Sequence, residues 1–119
     1  MYGDKQRFIA SLRSLDRFEV RLGHLMKTET GFKQKGVDVL LSIDLTRLSW
    51  QEKIDKAILV TGDTDFIPAI QEARDASVIT CLAYCPSMPR RISPALYQVC
   101  DDRFQITAPF LQRFVATTP

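Results

Sequence analysis

The sequence predicts an α/β fold built on a mostly parallel sheet with helices on both faces. Helical and strand patterns alternate along its 119 residues, which is the order typical of such sheets. Two of the strand patterns, at 57–61 and 78–84, are continuous apolar runs, as expected for strands that are covered on both faces. The length fits a single domain, so we expect residues 1–119 to form one.

The first part of the chain is predicted to contain a helix, a strand and a second helix. Residues 5–15 place four apolar side chains at helical spacing, which predicts an amphipathic helix. Residues 17–26 alternate apolar and polar side chains and are predicted to form a strand interrupted at Gly23. We expect a polar loop over 27–35 and a helix with an apolar stripe over 36–50.

The second part begins with the apolar strand at 57–61, which stops at Gly62. A helix is predicted over 66–76, with Pro68 in its first turn, where a missing N–H costs little. The apolar run at 78–84 follows as a strand. The remaining predicted elements are a loop over 85–93, a short helix over 94–100 and a short strand over 104–107.

Composition and charge narrow the class of protein. Hydrophobic residues make up 45% and charged residues 25%, a globular mixture that excludes a disordered chain. No apolar run is long enough to span a membrane and no signal-peptide pattern opens the chain, so we expect a cytoplasmic protein without membrane contact. Three cysteines and one histidine favour buried, reduced thiols over a zinc site, which needs four ligands.

The charge is unevenly distributed along the chain. Residues 1–35 carry eight basic and four acidic side chains, whereas 36–119 carry eight basic and ten acidic ones. A basic front and an acidic centre suit an anionic polymer held beside a carboxylate cluster. Charge alone nevertheless favours an ordinary solvated surface with a chance imbalance.

Asp63 and Asp65 follow directly on the buried strand at 57–61. Ligands of α/β sheets bind at the carboxyl ends of the strands, and paired carboxylates suit a hard cation such as Mg²⁺ or Mn²⁺. Gly62 is expected to allow a sharp turn and the close approach of a ligand. Spacing alone favours a structural role, in which Asp65 caps the next helix and Asp63 accepts N–H groups of the turn.

A second acidic pair lies on the helix predicted over 36–50. Asp38 is near its start and Asp44 six residues later, which places the two side chains about 120° apart around the helix. Asp38 is therefore the better ligand candidate, and Asp44 a supporting acceptor. Lys35 just precedes the helix and is placed either to meet a phosphate or to remain solvated.

These two stretches, KGVDVLLSIDL and DKAILVTGDTDFIPAIQEARD, resemble the NYN domain family (LabA-like proteins) of the PIN-like nuclease superfamily. The resemblance runs from about residue 17 to 107. It implies a Rossmann-like, three-layer α/β/α fold and acidic residues that bind Mg²⁺ or Mn²⁺ and hydrolyse RNA. Asp38 matches the acid of the KGVD motif, Asp63 and Asp65 match the SGDxDF motif with Thr61 in place of Ser, and Asp44 matches a recurring acid of less certain role.

The chain departs from the family at its start. Members usually open with an apolar strand that ends in an Asp joining the metal cluster, and this chain begins at the helix that would follow. The resemblance therefore implies a PIN-like domain that lacks its usual first strand or is a truncated form of a longer one. The strand edges left open would be covered by a homodimer or by a partner that donates a strand.

Together these observations predict a metal-dependent ribonuclease-like domain that uses Asp38, Asp63 and Asp65. Basic residues would hold the RNA backbone, although Arg90 and Arg91, each taken singly, are better explained as solvated charges. The alternative is a catalytically degenerate domain that binds RNA or protein as a regulator, so the sequence leaves enzymatic activity open. The RNA-binding candidates are Lys33, Lys35, Arg90 and Arg91.

Overall fold

The computed structural model of the chain describes residues 2–29, 31–86 and 92–115. Their backbone forms two compact units, with the boundary between Leu40 and Leu41. This boundary falls inside one continuous helix, which we label α2 (Val37–Trp50). The two units are described separately below.

The N-terminal unit contains a helix and a β-hairpin. Helix α1 spans Tyr2–Arg13, and strands β1 (His24–Thr28) and β2 (Gly31–Lys35) pair antiparallel. Thr28 and Gly31 form the last pair of the ladder, and the Thr28 hydroxyl donates to the Gly31 carbonyl at 2.9 Å. Gly31 has a φ of +137°, which only glycine adopts without strain.

This hairpin corrects two predictions. The strand predicted over 17–26 begins only at His24, and the loop predicted over 27–35 is largely strand. The physical reason is that a two-stranded ribbon has no face that must be buried, so its side chains need not show the apolar alternation of a core strand. The predicted helix over 5–15 is present but ends at Arg13.

The C-terminal unit confirms the predicted parallel sheet. Strands β3 (Lys56–Val60), β4 (Ile79–Tyr84) and β5 (Asp102–Gln105) lie in that order, and both pairings are parallel. The connections cross over through helices, as parallel strands require. The other elements of this unit are a 3₁₀ turn (Thr64–Phe66) and the helices α3 (Ile67–Asp75), α4 (Pro94–Val99) and α5 (Ala108–Gln112).

Helices flank both faces of this sheet, which confirms the predicted fold class. Ile70 of α3, Leu82 of β4 and Leu96 of α4 are fully buried in one core on the first face. On the opposite face, Phe104 of β5 contacts Phe110 of α5, with ring centroids 5.8 Å apart. Strand β4 is central and buried on both sides, which explains its uninterrupted apolar sequence.

The prediction that the run at 57–61 is also covered on both faces is wrong, because β3 buries Ala57 and Leu59 on one face and leaves Ile58 and Val60 exposed on the other.

A polar network fixes the beginning of β4. The fully buried Thr80 donates from its amide and its hydroxyl to the Asp101 carboxylate, at 2.8 and 3.1 Å. Arg74 of α3 pairs with the same carboxylate at 3.1 Å. The hydrogen bond from the Thr80 amide, with help from Arg74, lowers the pKa of Asp101.

Two of the three thiols are buried as predicted, whereas Cys85 is only partly buried. Cys81 and Cys100 are buried and free of disulfides, and burial raises the pKa of Cys100.

Within the described ranges, no helix has the length and apolar character needed to cross a membrane.

Candidate metal centre

The turn that follows β3 positions two of the predicted acids. The Asp63 amide donates to the Thr61 hydroxyl at 3.1 Å, and the Asp65 amide donates to Asp63 Oδ1 at 2.9 Å. Asp63 is also the N-terminal cap of the 3₁₀ turn at Thr64–Phe66. The structural role that spacing alone favoured is therefore present for Asp63, which accepts a turn N–H. One carboxylate oxygen is used in this way, so the other oxygen is available to a ligand.

The turn does not need a glycine for its backbone. Within the described residues the glycines with positive φ are Gly31 and Gly36, so Gly62 adopts a conformation open to other residues. A Cβ built on Gly62 would lie 3.9 Å from Ile92 Cδ1, which is an ordinary contact. The expected sharp turn at Gly62 is therefore not a glycine-only conformation. Its missing side chain leaves space beside Asp63.

The third acid is placed by α2. Leu45 and Ser49 are the buried residues of this helix, seven and eleven positions after Asp38. At about 100° per residue, Leu45 and Ser49 lie about 20° to either side of Asp38 around the helix axis. Asp38 therefore continues the inward-facing stripe of α2 beyond its buried part, and it sits in the first turn, where the helix dipole favours an anion.

The structure brings Asp38, Asp63 and Asp65 together. One carboxylate oxygen of each lies within 4.8 Å of the others. Asp63 is half-buried, whereas Asp38 and Asp65 are exposed. Three carboxylates this close repel one another unless a cation neutralises them. The arrangement can therefore hold a cation and leave one side of it open to solvent.

The donor set fits a hard divalent cation. Three oxygens no more than 4.8 Å apart lie on a circle with a radius of at most about 2.8 Å, against Mg²⁺–oxygen distances of about 2.0–2.1 Å. Side-chain rotations that move each oxygen by less than about 1 Å would complete the contact. All three ligands are carboxylate oxygens, which Mg²⁺ and Mn²⁺ prefer over nitrogen or sulfur.

Asp44 is placed differently. Its carboxylate is not one of the three that converge, and it lies 3.5 Å from the Arg47 guanidinium one turn along α2. This agrees with the rotation of about 120° that separates it from Asp38 around the helix.

The predicted RNA-binding residues are described only in part. Lys33 and Lys35 lie on β2, and their side chains are outside what the structure describes. Arg90 and Arg91 lie outside the described residues altogether. The register of the hairpin places Lys35 opposite the single histidine, His24.

Sequence reasoning missed the role of Thr61. Its hydroxyl is the acceptor that holds the Asp63 amide, so it orients a ligand candidate. The clue was available, because a Ser or Thr two residues before a turn amide is the usual pattern of such a bond. It also explains why Thr can replace the Ser of the motif.

Comparison with known proteins gives one finding. The NYN domain family model matches residues 1–107. No curated protein matches the chain, and no solved structure does.

Proposed function

The chain belongs to the NYN domain family of the PIN-like nuclease superfamily, and from this premise we propose that it hydrolyses RNA phosphodiester bonds with the help of Mg²⁺ or Mn²⁺. The observation that supports the proposal is the convergence of Asp38, Asp63 and Asp65. An anionic polymer beside three carboxylates needs a cation between them, and these acids are arranged to hold one.

In this proposal, the three acids differ in how firmly the protein holds them as ligands. Asp63 is half-buried and oriented by the Asp65 amide, so it supplies the most fixed ligand. Asp38 and Asp65 are exposed and supply the other two ligands. When bound, the ion lowers the pKa of a coordinated water and stabilises charge on the phosphate oxygens.

Lys33, Lys35, Arg90 and Arg91 would hold the RNA by its phosphates. Such contacts position the strand without reading its sequence. We therefore propose that binding weakens steeply as salt is raised, because each neutralised phosphate releases counterions. Loss of one of these cations should reduce the salt dependence by about one counterion, whatever the RNA sequence.

A second candidate function is RNA binding without cleavage. It is favoured by the exposure of the acidic group, since two of the three converging carboxylates, Asp38 and Asp65, are exposed. Charges that stay in contact with water interact more weakly than buried ones. Such a domain would act as a regulatory module for RNA or protein.

One experiment separates the two candidates. Single-stranded RNA is incubated with the wild-type chain and with Asp63→Asn, with and without Mn²⁺, and with Asp102→Asn as the control because Asp102 is an exposed acid on β5. The nuclease proposal predicts Mn²⁺-dependent cleavage by the wild type and by Asp102→Asn, and at least a hundredfold slower cleavage by Asp63→Asn, about 2.7 kcal/mol. RNA that is bound but uncut by all three variants would establish the regulatory alternative.

We further propose that residues 1–119 act as a single cytoplasmic domain whose open sheet edge is covered by a homodimer or by a strand from a partner. Strand β3 is an edge of the described sheet, and its side chains Ile58 and Val60 are exposed. Unpaired strand edges are normally covered or blunted. Sedimentation equilibrium tests the homodimer. A monomer at micromolar concentration would exclude the homodimer and leave a strand from a partner as the proposed cover of the edge.

A further inference from the structure

Helices α2 and α3 line a groove of about 700 Å³ that the proposed reaction uses only at Asp65. We call it the α2–α3 groove and define it by Ile43 and Thr46 on α2 and by Pro68, Glu72 and Asp75 on α3. Asp65 lies at one end, so the groove begins beside the candidate metal centre and runs away from it.

On its α2 side the groove is lined by Ser42, Ile43, Thr46 and Arg47, and Trp50 follows Ile43 two turns along the helix. Positions 43, 46 and 50 lie within about 60° of one another around the helix. Ile43 is 52% exposed and Trp50 is 54% exposed. The helix therefore presents two large apolar side chains to solvent about 10 Å apart, at 1.5 Å per residue, in addition to the face that it buries in the core.

The α3 side of the groove is acidic. Glu72 and Asp75 follow Pro68 at helical spacing on one face of the helix. The basic residue that lines the groove, Arg47, lies 3.5 Å from Asp44. With Asp65 at the near end, the lining carries three acidic residues and one basic residue. This charge repels a phosphate backbone and attracts cations.

A hydrogen bond holds the far end of the groove in place. The Trp50 indole N–H donates to Glu72 Oε2 at 2.9 Å. It joins Trp50 of α2 to Glu72 on the acidic α3 side of the groove and fixes the orientation of an exposed aromatic ring. A ring that is already ordered loses less conformational entropy when a partner binds, and exposed, positioned tryptophans are frequent anchors of interfaces.

We infer that the α2–α3 groove is a docking site for a cationic amphipathic helix of a partner protein. Two turns of such a helix match the distance between Ile43 and Trp50. Its apolar face would cover these two side chains, and its Lys or Arg side chains would face Glu72 and Asp75. The charge of the groove favours this occupant over RNA.

The single tryptophan of the chain reports on the groove directly. The probe is a peptide of about 15 residues, long enough to form a helix, with Leu at positions i, i+4, i+7 and i+11 and Lys beside them. A second peptide has Glu in place of every Lys. We expect the Leu/Lys peptide to shift Trp50 emission to the blue and to bind at least tenfold more tightly than the Leu/Glu peptide.

Matched variants locate the binding. Ile43→Ser should weaken the Leu/Lys peptide roughly tenfold, whereas Ile58→Ser, which alters a residue 57% exposed on β3, should leave it unchanged. Asp75→Lys should weaken the Leu/Lys peptide and strengthen the Leu/Glu peptide. The metal-site variant Asp63→Asn should bind the peptide like the wild type. Failure of the docking inference and failure of the nuclease proposal can therefore be distinguished. Circular dichroism checks that each variant is folded.

Three results would overturn the inference. The first is equal affinity for the two peptides, because charge would then play no part. The second is an equal effect of Ile43→Ser and Ile58→Ser, because binding would then be non-specific. The third is displacement of the Leu/Lys peptide from Trp50 by a ten-nucleotide uridine RNA that itself shifts Trp50 emission, since the groove would then be an RNA track.

Discussion

Removing the hydroxyl of Thr61 should weaken metal binding without removing a ligand. This hydroxyl accepts the Asp63 amide at 3.1 Å and so fixes the start of the turn that carries two of the three acids. The variant Thr61→Val keeps the shape of the side chain and loses the acceptor. The turn is then less ordered before the ion binds, and the free energy needed to order it reduces the binding free energy of the ion.

The size of the effect follows from that single bond. A neutral hydrogen bond contributes a net free energy of about 0.5–1.5 kcal/mol. If all of it is lost from binding, the Mn²⁺ dissociation constant rises about two- to twelvefold, because about 1.4 kcal/mol corresponds to a factor of ten. Substitution of a ligand acid should cost more than this, since it removes a charge and a donor together.

Isothermal titration with Mn²⁺ measures this effect, and Thr61→Ser is the control. Serine keeps the hydroxyl and loses the methyl group, so its affinity should match that of the wild type. Mn²⁺ affinity of Thr61→Val equal to that of the wild type would refute the positioning role. Equal losses in Thr61→Val and Thr61→Ser would also refute it, because the methyl group would then be responsible.

Four further predictions concern stability. Asp101→Ala leaves the buried amide and hydroxyl of Thr80 without their acceptor. The free energy of unfolding measured in urea should therefore fall by about 2–4 kcal/mol. A decrease under about 0.5 kcal/mol would contradict the role of this network. Because the pKa of Asp101 is lowered in the folded state, its contribution to stability is complete above the unfolded pKa and disappears as pH falls through the folded pKa. The free energy of unfolding, measured from pH 6 to pH 2, should therefore fall less steeply below about pH 4 in Asp101→Asn than in the wild type. Parallel curves for the two proteins would contradict this role of Asp101. Ile70→Ala opens a cavity at a side chain with no exposure and should cost about 2–5 kcal/mol in the same denaturation, with a cost below about 1 kcal/mol indicating that Ile70 is not in a packed core. Mn²⁺ at 100 times its dissociation constant should stabilise the wild type by about 2.7 kcal/mol in a thermal melt and leave Asp63→Asn unchanged, and equal shifts for both would place the ion elsewhere.

The sheet of the C-terminal unit could be predicted from its apolar runs, which burial explains fully for β4 and on only one face for β3. Strands β3 and β4 were predicted within one residue at most ends, since both are continuous apolar runs. The hairpin could not be predicted in the same way. Strands β1 and β2 form a separate two-stranded sheet, and their sequences contain no continuous apolar run of the kind that marks a core strand.

The acids of the candidate site were predictable for a different reason. Asp63 and Asp65 end a buried strand, and Asp38 shares a helix face with Leu45 and Ser49, so periodicity and topology together bring them to one place. The contact between Thr80 and Asp101 joins residues 21 positions apart. No local pattern marks such a pair, and only the packed structure reveals it.

The most direct test of the metal site is Mn²⁺ binding by Asp38→Asn, followed by electron paramagnetic resonance of the free ion. Asp38 is the one acid contributed by a different element from the other two, so its participation depends entirely on the convergence within 4.8 Å. We predict that the substitution weakens Mn²⁺ binding at least tenfold, about 1.4 kcal/mol, while Asp102→Asn leaves it unchanged. Wild-type affinity in Asp38→Asn would contradict the three-aspartate centre.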